Sequence, residues 1–327
     1  METQLREVRT VKLDVVVPTY NRSQMLSAAI SSLLRAPMPL GLEVTLWIVD
    51  NNSSDDTESV VHQIQAKAVF PCFYIKETTQ GSSQARNAGI SAGNGEIVGF
   101  IDDDEEVDEN WFKVVAREFA GKGTQFIAGA CLPDWDAPAP AWLFAVPGYQ
   151  ATIGVQVPLP RSPIGGNNQT LFWGGNAAVR RSVFECVGLF STILGRSAKS
   201  LLGAEDKDLE ARMVSLGLHG IYVPDMIIYH HVPAYRLTHG YFRRNNFWAG
   251  VSQGVMDRDS RAPVRYMLGI PRYRIGNALK GLASLARHLF CAREEGLAFA
   301  DELPSWQLLG FIYGKHFIRI ERYYSKQ

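Results

Sequence analysis

Blocks of hydrophobic and polar residues alternate through the first hundred positions, in lengths that suit short strands and helices. Mostly apolar runs occupy residues 13–17, 44–49 and 97–101, and a further run lies in "CFYIKE". Short apolar runs closed by polar residues are typical of buried strands. Because segments with helical spacing of apolar residues separate these runs, we predict a mostly parallel α/β sheet with helices on both faces.

The polar loops of this half predict where the elements begin and end. The first strand is expected to stop at Pro18, since proline cannot donate to a β-ladder. Asn21 or Ser23 is expected to cap the helix that follows. The second strand should end at Asp50 before a helix that begins at residues 54–56. The helix after the Gly/Ser loop should end near the glycines at 93 and 95.

The pattern changes after a further helix that begins near Trp111. "QFIAGACL" predicts a strand, and "QTLFWGGNAAVRRSVFECVGLF" predicts a strand, a turn at residues 174–176 and a helix. "IYVPDMIIYHHVP" predicts a last strand that ends at His230 and His231. The intervening "GAEDKDLEARMVSLG" predicts a helix whose inward residues are Leu209, Met213 and Leu216.

Two segments have open interpretations. Residues 133–168 are predicted to be irregular and contain four large aromatic residues: Trp135, Trp142, Phe144 and Tyr149. These aromatic residues either stack on a sugar or lipid or pack over the sheet edge, and we favour packing. From Arg236 onward the chain is predicted to be helical, with basic and aromatic residues interleaved. These helices either lie at a membrane interface or cover the rest of the protein or a second copy of it.

Composition limits the classes of protein that fit. The chain has 327 residues, 46% hydrophobic and 20% charged, which is typical of a globular protein, and its net charge is zero, so no overall field favours nucleic acid. Its four cysteines (Cys72, Cys131, Cys186 and Cys291) form no C-x-x-C pair and fit a reducing cytosol. No signal peptide or transmembrane run is predicted. We therefore expect a cytoplasmic protein, with peripheral contact at the inner face of the cell membrane as an open alternative.

The fourth strand ends in an acid cluster, "IDDDEEVDENW". In a parallel sheet, ligands bind beyond the carboxyl ends of the strands, which is where Asp102, Asp103 and Asp104 would lie. Adjacent carboxylates repel one another unless a cation or solvent surrounds them. Carboxylate oxygens suit Mg²⁺ or Mn²⁺ held together with substrate phosphates. The alternative is a solvated turn ahead of the next helix.

Six motifs in order resemble those of the family 2 glycosyltransferases with the GT-A fold. They are "VVVPTYNR", "IVDNNSSDDT", "GSSQARNAGI", "GEIVGFIDDDEEVDENW", "GGNAAVRR" and "GAEDKDLEARMVSLG". The resemblance covers roughly residues 12–235. It implies a Rossmann-like, mostly parallel sheet flanked by helices, in which residues 1–110 bind the nucleotide-sugar donor and residues 111–235 form the acceptor-binding and catalytic half. Residues 236–327 would be a C-terminal amphipathic helical extension.

The resemblance also implies roles for individual residues. Asp206 would be the catalytic base, while Glu205 would orient the acceptor or act as the base itself. Asp104 would bind a divalent cation, Mn²⁺ or Mg²⁺, with Asp102 contacting ribose or the metal's waters, and His230 (or else His231) would complete the metal site. The implied donor-binding residues are Pro18, Thr19, Tyr20, Arg22, Asp50, Arg86, Asp102, Asp103, Gly175, Asn176 and Arg243.

Each of these roles has a structural alternative. Carboxylates in the first turn of a helix are stabilised by its dipole, which would account for Glu205 and Asp206 without catalysis. Histidines at a strand end are commonly structural, and Arg243 with Arg244 could be a solvated helix face. The glycines at 174 and 175 could serve a turn or allow close approach to the donor sugar.

The predicted activity is inverting transfer of a sugar from a nucleoside-diphosphate sugar to an acceptor hydroxyl. A UDP-sugar is the first expectation for the donor, and a bacterial polysaccharide or lipid-linked saccharide for the acceptor. Two alternatives remain. A sugar-phosphate nucleotidyltransferase is expected to have a glycine-rich, lysine-bearing loop after the first strand, and "VPTYNRS" at that position lacks one. A non-catalytic sugar-nucleotide-binding scaffold would not need both acidic pairs, Asp102 with Asp104 and Glu205 with Asp206, and their presence disfavours it.

Overall fold

The computed structural model describes residues 10–146, 148–156, 158–165, 171–195, 203–259, 264–288 and 295–318. The chain forms two compact units. The first comprises Met1–Leu132, Val157–Thr192 and Glu205–His230, and the second comprises Pro133–Gln156, Ile193–Ala204 and His231–Gln327. Cys291 and residues 319–327 of the predicted basic tail lie outside the described residues.

Four parallel strands with intervening helices form one half of the sheet in the first unit, as the sequence pattern predicts. The strands occur in the order β3-β2-β1-β4. The elements are β1 (Val11–Thr19), α1 (Ser23–Arg35), β2 (Leu42–Asp50), α2 (Thr57–Gln65), β3 (Cys72–Lys76), α3 (Ser82–Ala92) and β4 (Ile97–Phe100). The second-strand end at Asp50 and the helix end near residue 93 are confirmed.

Strand β1 runs two residues further than predicted, through Pro18 to Thr19. Pro18 pairs in register with Val49 of β2. On the other side, the O of Val16 accepts from the N of Ile101, and β4 then ends. Residues two apart direct their backbone groups to the same side. The missing N–H of Pro18 therefore faces the side where no neighbouring strand remains, so proline is tolerated.

The predicted side-chain cap of α1 is wrong. Neither Asn21 nor Ser23 caps the helix; instead the carboxylate of Asp55 accepts from the N of Ser23 at 3.2 Å and from the N of Thr57 at 3.1 Å. One aspartate in the β2–α2 loop therefore serves the first turns of both α1 and α2. Although burial opposes ionisation of Asp55, its hydrogen bonds from Thr57 and Ser23 lower its pKa.

The other half of the sheet follows the order β4-β8-β6-β9-β5, with β7 paired to β9; β8 is antiparallel to both β4 and β6, and β5 and β7 are antiparallel to β9. Its elements are β5 (Glu105–Val107), α4 (Trp111–Phe119), β6 (Phe126–Trp135), β7 (Ser162–Pro163), β8 (Ala177–Arg180), α6 (Arg181–Val187), α7 (Glu205–Ser215) and β9 (Gly220–Val232). The helix at Trp111 and the strand through His231 are confirmed, although two short strands follow later in the chain.

Two local predictions in this half are wrong. The strand expected in "QTLFW" is absent from residues 171–173, with 169–170 outside the described residues, and the strand follows the Gly174-Gly175 turn as β8. β8 lies between β4 and β6 and pairs with both, so the location of this strand in the sequence depends on pairing with distant strands. Leu216 is 58% exposed because α7 ends at Ser215, whereas Leu209 and Met213 are fully buried as expected.

The core lies on both faces of the sheet. Val15 and Val17 pack into one hydrophobic cluster with α1 and α4, whereas Val16 packs into a second cluster with α3, α6 and α7. Successive side chains on a strand point to opposite faces, so a continuous apolar run is what a doubly covered strand requires.

The second unit is mainly helical, as predicted. It contains 3₁₀ turns at Ala141–Phe144 and Ala234–Leu237, α5 (Tyr149–Thr152), α8 (His239–Asp259), β10 (Tyr266–Met267), β11 (Ile270–Pro271), α9 (Arg272–His288) and α10 (Glu295–His316). Trp142 and Tyr149 of the irregular segment pack edge-on against Phe242 and Phe299. These two aromatics therefore pack within the second unit as part of its core, but against α8 and α10 and not over the sheet edge that we favoured. In the described part of the chain, every helix is too short or too polar to cross a membrane.

Candidate active site

The acidic turn that follows β4 directs its first two aspartates to different partners. Asp102 Oδ1 accepts a 2.6 Å hydrogen bond from Arg86 Nη2. Asp103 is buried and accepts from Thr19 Oγ1 at 2.8 Å and from Arg22 Nη1 at 2.9 Å. Asp103 thus ties the turn to the end of β1 and leaves Asp102 and Asp104 on either side of it.

The third aspartate, Asp104, lies between Arg22 and His230. Its Oδ2 is 3.0 Å from Arg22 Nη1 and 3.6 Å from His230 Nε2. The proximity of His230 follows from strand register, because β5 pairs antiparallel with β9 and sets Glu105 opposite His230. His231 points instead towards Asp134, at 3.5 Å. The structure therefore brings His230, the favoured one of the two histidines, to the acidic turn.

Burial raises the pKa of two carboxyls in this turn. It raises the pKa of Asp103 to about 6, with a further contribution from Asp104 and an opposing one from Arg22. The pKa of Glu105 is raised well above its usual range by burial and then by Asp102 and Asp104. Carboxylates brought together in a low-dielectric site resist simultaneous ionisation.

Glu105 is a site residue that the sequence interpretation missed. Its Oε2 accepts from the N of Asp102 at 2.9 Å. A Cβ at Gly175 would collide with its carboxylate, so this glycine leaves room for Glu105. The sequence "EEV" has no alternation of polar and apolar residues that could have indicated this role; the structure shows that Glu105 and Val107 share the inward face of β5 while Glu106 is more exposed.

Arg86 connects the acidic turn to the acidic pair at the start of α7. Its Nη1 donates to Glu205 Oε1 at 3.2 Å and lies 3.7 Å from Asp206 Oδ1, while Nη2 binds Asp102. Burial works against its charge, but the three carboxylates raise its pKa, so the guanidinium stays protonated. Ser82, at the start of α3, adds a 3.0 Å hydrogen bond to Glu205 Oε1.

Asp206 has one oxygen held and one oxygen without a hydrogen bond. Oδ2 accepts from the N of Gly174 at 3.0 Å, whereas the buried Oδ1 has no hydrogen-bond partner among the described residues. A Cβ at Gly174 would come within 2.5 Å of Oδ1, so glycine is needed for this approach. Burial raises the pKa of Asp206 to about 7; Glu205 adds to the shift and Arg86 opposes it.

Asn176 is buried among backbone groups of β6 and β9. Its Nδ2 donates to the carbonyls of Ala130 and Met226, both at 2.8 Å, and its Oδ1 accepts from Trp111 Nε1 at 3.0 Å. Both amide N–H groups and the side-chain oxygen therefore have partners within the protein, and donor contact by Asn176 stays a prediction.

The predicted nucleoside-binding residues lie at the carboxyl ends of β1 and β2. Asp50 is 1% exposed, and its oxygens accept from the N of Ser53 at 2.8 Å and from the Tyr74 hydroxyl at 2.7 Å. Thr19 is buried and Tyr20 is 39% exposed. Together with Pro18, which is half-buried, these residues share one sheet edge with the acidic turn, as expected of parallel strands.

Arg243 lies in the second unit. It forms two hydrogen bonds with Glu302, at 2.5 and 3.2 Å, and its guanidinium stacks over Phe299 at 5.5 Å from the ring centroid. Its neighbour Arg244 is exposed. Donor contact by Arg243 stays a prediction, and its bonds to Glu302 supply a structural role that the sequence did not reveal.

The atoms of the acidic turn can be compared with the needs of a divalent cation. Asp104 Oδ2 and His230 Nε2, 3.6 Å apart, have a spacing close to that of two ligands of one ion, which is about 3 Å or slightly more. No group of three or more His, Cys, Asp or Glu side chains in the described ranges is arranged to hold a metal. Mg²⁺ is commonly held by one or two carboxylates together with substrate phosphates, so Asp104 would be the carboxylate of such a site; in this structure its Oδ2 accepts a hydrogen bond from Arg22 Nη1 at 3.0 Å.

Several known proteins are similar to this chain in sequence or in fold. Over 122 residues the chain is 33% identical to a GalNAc(5)-diNAcBac-PP-undecaprenol β-1,3-glucosyltransferase of Campylobacter jejuni, covering 37% of this chain and 38% of that protein. It is 24% identical over 291 residues to the succinoglycan biosynthesis protein ExoM of Rhizobium meliloti, covering 89% and 86%. The mannosyltransferase PcManGT of Pyrobaculum calidifontis, solved with GDP-Man and Mn²⁺, has a similar fold, with TM-score 0.63, 18% identity and coverage of 93% and 87%.

The fold and these relatives define a glycosyltransferase with the GT-A architecture, which confirms the predicted fold class and enzyme class. The model of glycosyl transferase family 2 matches residues 14–188, more than half of the chain, and the protein belongs to that family. Its relatives include proteins of glycan and polysaccharide synthesis.

Proposed function

We propose that the protein transfers a sugar from a nucleoside-diphosphate sugar to an acceptor hydroxyl with inversion at the anomeric carbon. The observation that supports this most directly is the environment of Asp206: its side chain is 28% exposed, Oδ2 accepts from the N of Gly174, the buried Oδ1 has no hydrogen-bond partner among the described residues, and its pKa is raised to about 7. A carboxylate with these properties suits removal of the acceptor hydroxyl proton, since a general base works best when its pKa lies near the operating pH.

The proposed chemistry begins at the acceptor. Oδ1 of Asp206 takes the proton of the acceptor hydroxyl as that oxygen attacks the anomeric carbon from the face opposite the leaving diphosphate. One C–O bond forms, the bond to the diphosphate breaks, and the proton stays on Asp206. The N of Gly174 holds Oδ2 and thereby fixes the orientation of the carboxylate. Glu205, bound by Ser82 and Arg86, is assigned to orient the acceptor.

Asp104 and His230 would hold a divalent cation, Mn²⁺ or Mg²⁺, which would stabilise the negative charge of the leaving diphosphate. Asp102 is held by Arg86 and is assigned to the ribose or to waters of that cation. The role for Asp103 is to fix the turn through Thr19 and Arg22. Because Arg86 binds both Asp102 and Glu205, it would hold the donor-binding and acceptor-binding parts of the site at a fixed distance and orientation.

The proposed nucleoside contacts are made by Pro18, Thr19, Tyr20 and Asp50. Asp50 can accept a further hydrogen bond, since each carboxylate oxygen has two acceptor directions. A UDP-sugar is the first donor to test, and a GDP-sugar the second, because PcManGT was solved with GDP-Man. A polysaccharide or lipid-linked saccharide acceptor is supported by the names of the Campylobacter and Rhizobium relatives.

A thermal-shift screen of nucleoside diphosphates, with and without Mn²⁺, tests donor binding, because a ligand of the native state raises its apparent stability. We expect one nucleotide to raise the melting temperature, and more so with the cation. Asp206→Asn should retain this shift and lose sugar transfer by a factor on the order of 10²–10⁴. Asp104→Asn should weaken the cation-dependent part of the shift.

Two results would contradict the assignment. Transfer by Asp206→Asn at the wild-type rate would exclude this residue as the base. Nucleotide binding by the wild type without transfer or hydrolysis of any nucleotide sugar would favour a non-catalytic binding protein of the same fold. A suitable control is Asp208→Asn, which removes a carboxylate from the same helix, where it pairs with Arg212 at 2.9 Å, and should leave transfer largely intact.

A further inference from the structure

Helix α10 packs its inner side closely against α8. A Cβ at Gly310 would collide with the carbonyl of Phe247, and a Cβ at Gly314 with that of Val251. Phe311, between these two glycines, is 1% exposed. The inner side of α10 is therefore fully used in packing, and the unit's own core does not require apolar residues on the opposite side.

Large apolar side chains nevertheless occupy the outward side of α9 and α10. We call this set the outer face; it consists of Leu279, Leu282, Trp306, Leu309, Tyr313 and Phe317, whose exposed fractions are 61, 52, 37, 54, 45 and 67%. Trp306, Leu309 and Tyr313 recur at intervals of three or four, which puts them on one side of α10, and Phe317 follows directly after the helix ends. Exposed large apolar residues that share one side of a helix mark an interaction site more often than a solvated face.

The charge on these helices is one-sided. Helix α9 contains four basic residues and no acid in "RYRIGNALKGLASLARH", and Arg272, Lys280 and Arg287 are exposed. The acids of α10 are confined to its first eight residues, and none follows between Pro304 and His316. These three basic residues lie on the same helix as the exposed Leu279 and Leu282. The outer face therefore combines exposed apolar residues with positive charge on α9.

We propose that the outer face binds the surface of an anionic lipid bilayer. An interfacial helix buries its apolar side at the headgroup boundary while Lys and Arg contact anionic lipids. Charge favours this occupant over a second copy of the chain, because a two-fold contact would bring the same basic helix of each copy together. This surface lies in the second unit and involves none of the residues assigned to chemistry.

Vesicle co-sedimentation of the full chain tests the proposal. We expect binding to vesicles that contain phosphatidylglycerol, much weaker binding to pure phosphatidylcholine, and a loss of binding as salt rises. Each exposed basic residue near an anionic surface contributes roughly a fivefold factor in binding. The triple variant Arg272→Gln, Lys280→Gln and Arg287→Gln should therefore bind about 100-fold more weakly.

A second variant separates apolar insertion from simple charge attraction. Leu279→Ser with Leu309→Ser keeps every charge and should weaken binding roughly tenfold or more. Matched controls change exposed residues of the first unit and should alter binding by less than about threefold. They are Lys67→Gln with Lys113→Gln and Lys122→Gln, and Leu40→Ser with Val69→Ser.

Three results would overturn the proposal. The first is equal sedimentation of the wild type with both vesicle types. The second is unchanged binding by the triple basic variant. The third is a wild-type dimer in solution that becomes a monomer on Leu279→Ser with Leu309→Ser, because a second copy would then cover this surface. Unchanged melting temperature and donor hydrolysis without vesicles would show that the variants fold, and membrane binding can fail without affecting the proposed chemistry.

Discussion

Replacing Asp206 by asparagine should make the protein more stable at alkaline pH even though it greatly slows transfer. The wild-type carboxyl titrates at about 7 in the folded protein, mainly because it is buried. In the unfolded chain an aspartate titrates near 3.9. Between these values the folded state binds one proton more than the unfolded state, so stability falls as pH rises from about 4 to about 7. Above pH 7 the ionised carboxylate destabilises the fold relative to a neutral side chain.

The magnitude follows from the size of the shift. A shift of about three pKa units corresponds to roughly 4 kcal/mol at full ionisation, which is an upper limit because neighbouring groups adjust. Asparagine removes the cost of burying the charge but also weakens the contact with Arg86, 3.7 Å away. We therefore expect a gain of about 1–3 kcal/mol at pH 8 and almost none at pH 4.5.

Calorimetric or fluorimetric melting of wild type and Asp206→Asn across this pH range measures the difference. Asp208→Asn is the matched control on the same helix; it removes an ion pair with Arg212 and should lower the melting temperature at pH 8. A difference between Asp206→Asn and wild type that is the same at pH 4.5 and pH 8 would refute the idea that burial of the Asp206 charge is costly.

Three further predictions concern activity and packing. The kcat/KM for transfer should rise with pH through an apparent pKa near 7, because Asp206 must be ionised to accept a proton. The measurement should run from about 1.5 pH units below this pKa to about 1 unit above it. A flat profile over that range would contradict the assignment of Asp206 as the base. Gly310→Ala should destabilise the protein by about 1–3 kcal/mol in denaturant titration, since its Cβ meets the carbonyl of Phe247, whereas Gly276→Ala on α9, with open space around it, should be neutral or stabilising. Asn176→Ala should cost about 2–4 kcal/mol in the same titration, because two buried carbonyls and an indole N–H lose their partner; a loss below about 1 kcal/mol would show that water replaces it.

Much of the first unit could be predicted from local patterns. The apolar runs before Asp50 and Asp102 identified β2 and β4, because a strand covered on both faces needs an unbroken apolar sequence. Since the carboxyl ends of parallel strands share one edge, the common location of these acids with Thr19 also followed. The strand boundary at Pro18 was wrong because the neighbouring strand had already ended, a fact that no local window contains.

Several features of the site depend on residues distant in sequence. Asp55 serves two helices because the β1–α1 and β2–α2 loops lie side by side. Gly174 and Gly175 permit contact with Asp206 and Glu105, which belong to other elements. From sequence alone, glycines at a turn could equally have served the backbone conformation or approach to a ligand.

The sequence by itself determined the α/β architecture of the first unit and the order of the acidic groups along the chain, because hydrophobic periodicity and charge clustering are local properties. Only the tertiary structure decided how Asp102, Asp103 and Asp104 divide their partners among Arg86, Thr19 with Arg22, and His230. Adjacent side chains in a turn point in different directions, and the partner of each one depends on which strand end or helix lies in that direction in the folded protein. The β5–β9 register, which sets Glu105 opposite His230, is such a choice.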